Sequence, residues 1–291
     1  MAVRGSTVAE AKLEDQVAGL DALELAGQQT TGRIARFWAA FWPKLAAVAL
    51  ALLAWQALVW LGWKSETVLP SPPTVFKVLW ENLRTSEFYD AIFRTMKRAM
   101  VGYGLSVVIG SFIGIAVARV AVLRTAIGSM ITGLQTMPSI AWFPASIVLF
   151  GLSERAIMAV VILGAAPSIA NGLIAGVDHV PPLLLRSGRM LGARGVALYR
   201  HVIIPASLPS FVGGLKQGWA FAWRSLMAGE LIVLLGSSLG ERLQFSRELS
   251  DYPTMYSWMI VILVIGLAAD AVFSRADRAI RKRWGLIDPA A

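Results

Sequence analysis

Two ionisable residues, Arg224 and Glu230, stand inside the stretch Phe211 to Leu235, which is otherwise apolar and glycine-rich apart from Lys216. A charge at membrane depth is costly and faces a protein interior or a water-filled path. An arginine so placed attracts an anion; a glutamate needs hydrogen-bond donors or a cation. Six residues apart on a helix, the two lie about 240° apart, so each needs its own partner. Glu230 shares a face with Trp219, Trp223 and Met227, and Arg224 lies on the neighbouring face with Ala220 and Ala228. Trp223, Arg224, Met227 and Glu230 are therefore the candidate lining of a path; the plainer alternative is structural pairing with another helix. Other chemistry is poorly supplied. His179 and His201 have no carboxylate or cysteine at metal-ligand spacing. No Ser-His-Asp arrangement suggests a hydrolase. The pair Gly-Lys does not occur, so the chain holds no phosphate-binding Walker loop.

The elements that would position these residues are long and uncharged. The chain has 291 residues, of which 56% are hydrophobic and only 15% charged, against about 25% charged in soluble domains. Mean hydropathy is +0.63. These values exclude a disordered chain, and the absence of cysteine excludes a disulfide-stapled domain or a cysteine-ligated metal protein. Uncharged runs cover Leu45–Trp63, Ala99–Ala118, Thr125–Ser153, Ala156–Val177 and Tyr252–Ala269. A bilayer core of about 30 Å needs roughly 20 helical residues. Five spans follow, and Phe211–Leu235 makes a sixth. The run Thr125–Ser153 exceeds one span; we expect an interfacial piece near Thr125–Thr136, a break at Pro138, then a span over Met137–Phe150. The fold class is all-α integral membrane with six transmembrane helices. Residues 1–40 read as an N-terminal tail, 41–275 as the membrane domain and 276–291 as a C-terminal tail.

Charge sets the orientation. The excess of nine positive charges gathers in short segments: Arg33, Arg36 and Lys44 before the first span, Arg119–Arg124, Arg186–Lys216, and Arg275 to Arg283 after the last. Positive segments stay inside, so both termini read as cytoplasmic. Lys64–Arg98 is also basic yet falls outside; Asp90–Arg98 reads as an amphipathic helix at the outer surface. A nucleic-acid role is disfavoured because no basic groove interleaved with aromatics is present.

The cytoplasmic connection Asp178–Pro209 is far longer than a turn needs. Pro181 and Pro182 suit a helix start. Leu184, Ser187 and Leu191 share a face, with Arg186 and Arg189 nearby. Gly192 ends that helix, and a second short helix, Val196–Val202, leads to Pro205. This loop resembles the EAA loop of permease subunits in binding-protein-dependent ABC importers. Gly192, Val202, Ile204 and Pro205 match its spacing, while Arg186-Ser187-Gly188 replaces Glu-Ala-Ala. "LPSPPTVFKVLWE", "QTMPSIAWFPASIVLFGLSE" and "GWAFAWRSLMAGELI" resemble the aliphatic sulfonate, nitrate and taurine branch. The resemblance implies a MetI-like permease fold and a subunit without catalytic chemistry of its own, in the bacterial inner membrane. It implies as partners a second copy of the chain, an extracytoplasmic binding protein and two cytoplasmic ATPases that carry ATP and Mg. It implies ATPase coupling through Arg186, Ser187, Arg189, Met190, Leu191, Gly192, Ala193 and Pro205.

The alternatives are a self-sufficient secondary transporter or channel, and a membrane enzyme. The first would show an inverted repeat or more intramembrane acids. The second would show a cluster of His, Asp or Glu at one face. The pairs Gly110/Gly114, Gly172/Gly176 and Gly214/Gly218 let helices approach closely, more readily within one subunit than at a dimer seam.

Overall fold

The structure is a computed structural model and describes residues 33–285. The acidic N-terminal stretch therefore lies outside the described residues. By internal packing the chain divides after Trp63. The first unit contributes α1 (Arg33–Trp60), with Pro43 inside it and exposed apolar side chains such as Leu45, Val48, Leu50 and Leu53 along it. That surface suits hydrocarbon rather than water.

The second unit forms, over its described residues, helices and their connections, with no strand among them. It comprises α2 (Pro72–Asn82), α3 (Ser86–Arg119), α4 (Ala121–Thr136), a 3-10 turn Ser139–Trp142, α5 (Phe143–Phe150), α6 (Glu154–Asp178), α7 (Pro182–Met190), α8 (Ile204–Ile232), α9 (Leu239–Glu248) and α10 (Tyr252–Arg283). Among the described residues, α1, α3, α6 and α10 are long and apolar enough to cross a membrane, and the bent pair α4–α5 makes a fifth candidate. The charged residues of α8 keep it out of that class; its place is set by packing along α6.

Helix α6 is the axis of the unit. It is apolar on all sides, as a helix surrounded by other helices must be, and Ile157, Val160, Val161 and Ile169 are wholly buried. Lipid is as apolar as leucine, so close packing and interhelical hydrogen bonds must hold such helices together. The small residues serve that end. A methyl group on Gly110 of α3 would lie 2.6 Å from the Ala166 carbonyl oxygen, and one on Gly114 would lie 3.0 Å from that of Ala170. On an adjoining face of α6, a methyl on Gly172 would stand 2.5 Å from Gly214 Cα of α8, and one on Gly218 would stand 2.7 Å from Ile169. All three glycine pairs thus face neighbours within the chain. Side-chain bonds join further helix pairs: the Tyr103 hydroxyl of α3 donates to the Leu215 carbonyl of α8 at 2.9 Å, and Asn171 of α6 donates to Gln135 of α4, which donates to Ser168 of α6, each at 3.0 Å.

Two boundaries differ from the sequence reading. Helix α3 has 34 residues and begins well before Ala99; the charged stretch Asp90–Arg98 is its first half, not a separate surface helix. The long uncharged run does break at Pro138, with a bend of 106°. Residues 125–136 are not an interfacial piece, however. Arg124 pairs with Asp178 at one end of α6 and Gln135 reaches Ser168 further along it, so α4 lies beside the C-terminal half of α6, with Ile131 buried. Phe143 then packs with Ile157 in the N-terminal half. The last helix, α10, runs on to Arg283, so the basic residues 275–283 are helical and continuous with the apolar part of that helix.

Candidate functional site

The loop after α6 is built from backbone signals. Pro182 occupies the first turn of α7, where its missing N–H costs nothing. At the other end Gly192 has φ +87°. Its N–H bonds the Arg189 carbonyl at 3.0 Å, and the Ala193 N–H bonds the Gly188 carbonyl at 2.9 Å. These are the two bonds of a Schellman cap, and the left-handed position calls for glycine. Gly188 is buried: a methyl there would come within 2.8 Å of Val202 Cγ2. That contact explains why glycine ends the triplet Arg186-Ser187-Gly188.

Two sets of contacts fasten the loop to the bundle. Val180, Leu198 and Ile203 form a small core with Leu185 and Val202. At its margins the Arg119 guanidinium of α3 lies 4.6 Å over the Tyr199 ring, and Arg124 of α4 pairs with Asp178. The outward surface is apolar. Leu183 is 72% exposed, Met190 81% and Leu191 88%. Arg186 and Arg189 are exposed beside them, Ser187 and Ala193 are half-buried, and Pro205 lies in the first turn of α8. Leu184 and Leu191 belong to the outward surface, whereas Leu185 and Gly188 face the bundle.

The second short helix expected at Val196–Val202 does not stand alone. A helical turn Val196–Leu198 passes into a π-helical stretch Tyr199–Ile203 and then into α8 without a break. Pro205 cannot donate to the carbonyl of residue 201, and the wider turn immediately before it absorbs the misfit. The chain is therefore helical from the loop to Ile232. The two histidines bond their own helices: His179 Nδ1 lies 2.7 Å from the Ala175 carbonyl and His201 Nδ1 lies 3.0 Å from that of Ala197. Among the described residues no three His, Cys, Asp or Glu side chains group to hold a metal.

The far half of α8 walls a cleft of about 530 Å³, shared with α9 and α10. Trp219, Trp223, Arg224 and Met227 line it from α8, Leu243 from α9, and Met259 and Ile262 from α10. The Trp219 and Trp223 rings stack with centroids 6.3 Å apart, and Trp219 meets the Tyr103 ring edge-on at 5.2 Å. Three of the four expected lining residues are thus on one wall. Arg224 is exposed and lies 5.4 Å over the Phe221 ring, with no carboxylate within salt-bridge distance among the described residues. Lys216, two turns earlier, is 3.6 Å from Asp270 of α10.

Glu230 does not face the cleft, and the expectation that it lines the path is corrected. Its side chain is 0% exposed. The Thr95 hydroxyl donates to Glu230 Oε2 at 2.9 Å, the Gly240 N–H donates to the same oxygen at 3.1 Å, and Arg98 Nη1 donates to Oε1 at 3.3 Å. Arg98 also reaches Glu154 Oε1 at 3.0 Å, and Thr95 accepts from the Leu239 N–H at 3.0 Å. The carboxylate therefore sits at the N-terminus of α9, where free N–H groups and the helix dipole favour a negative charge. It ties α9 to α3 and α8, and through Arg98 to the start of α6. Its spacing from Arg224 revealed the need for a partner; Thr95 and Arg98, more than 130 residues away, left no sign in the local pattern.

Residues 106–284 match the family described as binding-protein-dependent transport system inner membrane component. The chain is 30% identical over 231 residues to a putative ABC transporter permease protein of Methanocaldococcus jannaschii, covering 78% of this chain and 86% of that one. It is 27% identical to a putative aliphatic sulfonates transport permease protein of Bacillus subtilis, over 83% and 87% of the two chains. It is 26% identical to the taurine transport system permease protein of Escherichia coli, over 76% and 82%. Among solved structures it resembles an inward-facing MetNI methionine ABC transporter, with a TM-score of 0.57 at 18% identity, covering 67% of this chain and 96% of that one. The apolar helices, the capped loop and the family match over most of the helical body agree: this chain belongs to the binding-protein-dependent transport system inner membrane components and is the permease subunit of an ABC importer.

Proposed function

We propose that this permease passes a small anion of the sulfonate, taurine or nitrate kind through the bacterial inner membrane. It works as a homodimer with two cytoplasmic ATPases, which hold ATP and Mg, and with an extracytoplasmic binding protein. Both termini lie on the cytoplasmic side. The observation that carries the reading is the continuity of one helix. The unbroken helix over residues 196–232 begins just after the capped loop that exposes Met190 and Leu191, and its α8 part presents Trp223, Arg224 and Met227 to the cleft. Motion imposed on Arg186–Ala193 by a nucleotide-driven partner passes to that helix through the packing of Leu185 and Gly188 on Leu198 and Val202. It then runs along the helix, a rigid element able to bias two states, past Pro205 to the cleft wall. The solute class rests on Arg224. Arg224 has no carboxylate within salt-bridge distance among the described residues, and the cleft's acid, Asp270, is paired with Lys216. A cation so placed on a wall of tryptophan and methionine suits an anion that carries some apolar surface. The relatives named for aliphatic sulfonates and taurine fit that chemistry.

The test is uptake of radiolabelled sulfonate, taurine and nitrate by the reconstituted complex. Arg224→Ala should lower uptake about tenfold or more, the effect of losing one charge-assisted contact of ~1.5–3 kcal/mol, while Arg224→Lys keeps part of it. Unchanged uptake in Arg224→Ala, with the complex assembled, would refute the role.

A further inference from the structure

A second cavity lies at the loop end of the bundle. It is about 280 Å³ and is walled by Ile115 of α3, Leu173 and Val177 of α6, and Leu208 and Phe211 of α8. Arg119 and Tyr199 stand at its rim. We propose that this groove binds an anionic phospholipid of the cytoplasmic leaflet, its phosphate on Arg119 and part of one acyl chain between α3 and α8. The inference rests on the cytoplasmic placement of the loop in the functional reading above.

Three features select this occupant. The first is shape and polarity. The volume is below the ~300–1,000 Å³ of ordinary ligand pockets, and the wall is mostly apolar, with Ser111 and Ser207 as its uncharged polar members. Ile115 and Ile204 beside it are about half exposed, and Phe112 one turn away is 76% exposed, so the groove continues onto a lipid-facing surface.

The second is charge. Arg124, five residues on, is paired with Asp178. Arg119 is exposed and has no carboxylate within salt-bridge distance among the described residues. Its guanidinium lies over the Tyr199 ring, which holds it in place and leaves edge N–H groups to meet phosphate oxygens.

The third is the solvent. Inside a bilayer an acyl chain gains little by leaving other chains for a protein groove, because both are equally apolar. Preference for one lipid over another must come from the headgroup. A cation at the rim, at the level where anionic headgroups gather, supplies it.

The groove joins α3, the end of α6 and the π stretch through Tyr199. A lipid seated there braces the loop against the bundle, so anionic lipid should raise coupled ATP turnover.

The experiment uses the permease co-purified with its ATPase. The complex is placed in nanodiscs of phosphatidylcholine alone or with phosphatidylglycerol, and bound lipid is read by native mass spectrometry. Wild type should retain phosphatidylglycerol about fivefold better than Arg119→Gln, the factor given by one interfacial cation. Arg119→Lys should fall between, and only wild type should gain full turnover from phosphatidylglycerol. Equal retention by wild type and Arg119→Gln would overturn the proposal. Retention of the ATPase by Arg119→Gln keeps that result separate from a failure of the loop reading. The chain has no cysteine, so Ile115→Cys is a clean probe of the competing occupant. A disulfide between two copies through it would overturn the proposal in favour of a second copy covering the groove.

Discussion

Gly240 stands so close to Glu230 that a methyl group on it would lie 2.5 Å from Glu230 Cβ, while its N–H donates to Glu230 Oε2. The carboxylate and the helix that it caps are thus fitted to one another. Gly240→Ala should lift α9 away and lower stability by about 1–3 kcal/mol, as overpacking does. Glu230→Ala should cost more, about 3–5 kcal/mol, because it strands the donors of Thr95 and Gly240 and one side of Arg98. Thermal unfolding in detergent reads both. A Glu230→Ala protein as stable as wild type would show that the network is dispensable.

The glycine seams predict an asymmetry. Gly172→Leu should abolish accumulation of folded protein, because Gly214 Cα already occupies the space. A methyl group on Gly104 would meet nothing within 4 Å, and this glycine is exposed on α3. Gly104→Ala should therefore be neutral or stabilising by up to ~1 kcal/mol. Yield and melting temperature of the two variants check the contrast.

Lys216 and Asp270 form a partly exposed pair between α8 and α10. Pairs of this kind contribute about 0–1 kcal/mol. Lys216→Met should leave assembly and melting temperature nearly unchanged, unlike Glu230→Ala. A large loss of stability in Lys216→Met would mean that the pair is buried in the assembled complex.

Much of this arrangement was legible in the sequence, for physical reasons. Uncharged runs marked α1, α6 and α10 because a bilayer excludes charge along a whole span. Pro138 marked the broken helix because proline cannot continue the hydrogen-bond ladder. Gly192 marked the end of α7 because the cap needs a left-handed residue. The rest depended on tertiary partners. Arg94, Lys97 and Arg98 disguised the first half of α3, and only the structure shows Arg98 neutralised between Glu154 and Glu230. Helix α9 has balanced charges and no long apolar run, so its sequence gives no sign of the helix N-terminus that receives Glu230. Glu230 looked like a lining residue because its face of α8 also carries Trp223 and Met227; α9 closes that face at its last turn.

In the function proposed above, coupling depends on a small exposed surface. Met190 and Leu191 extend from a loop that is otherwise fastened by Arg119, Arg124 and a small core. Replacing them should remove partner contacts without disturbing the fold.

The decisive experiment is co-purification of the ATPase with tagged permease carrying Met190→Asp and Leu191→Asp, with ATP turnover and melting temperature recorded together. A coupling loop requires loss of the ATPase and of stimulated turnover at an unchanged melting temperature. Stoichiometric retention and full turnover would remove Asp178–Pro209 as the coupling element.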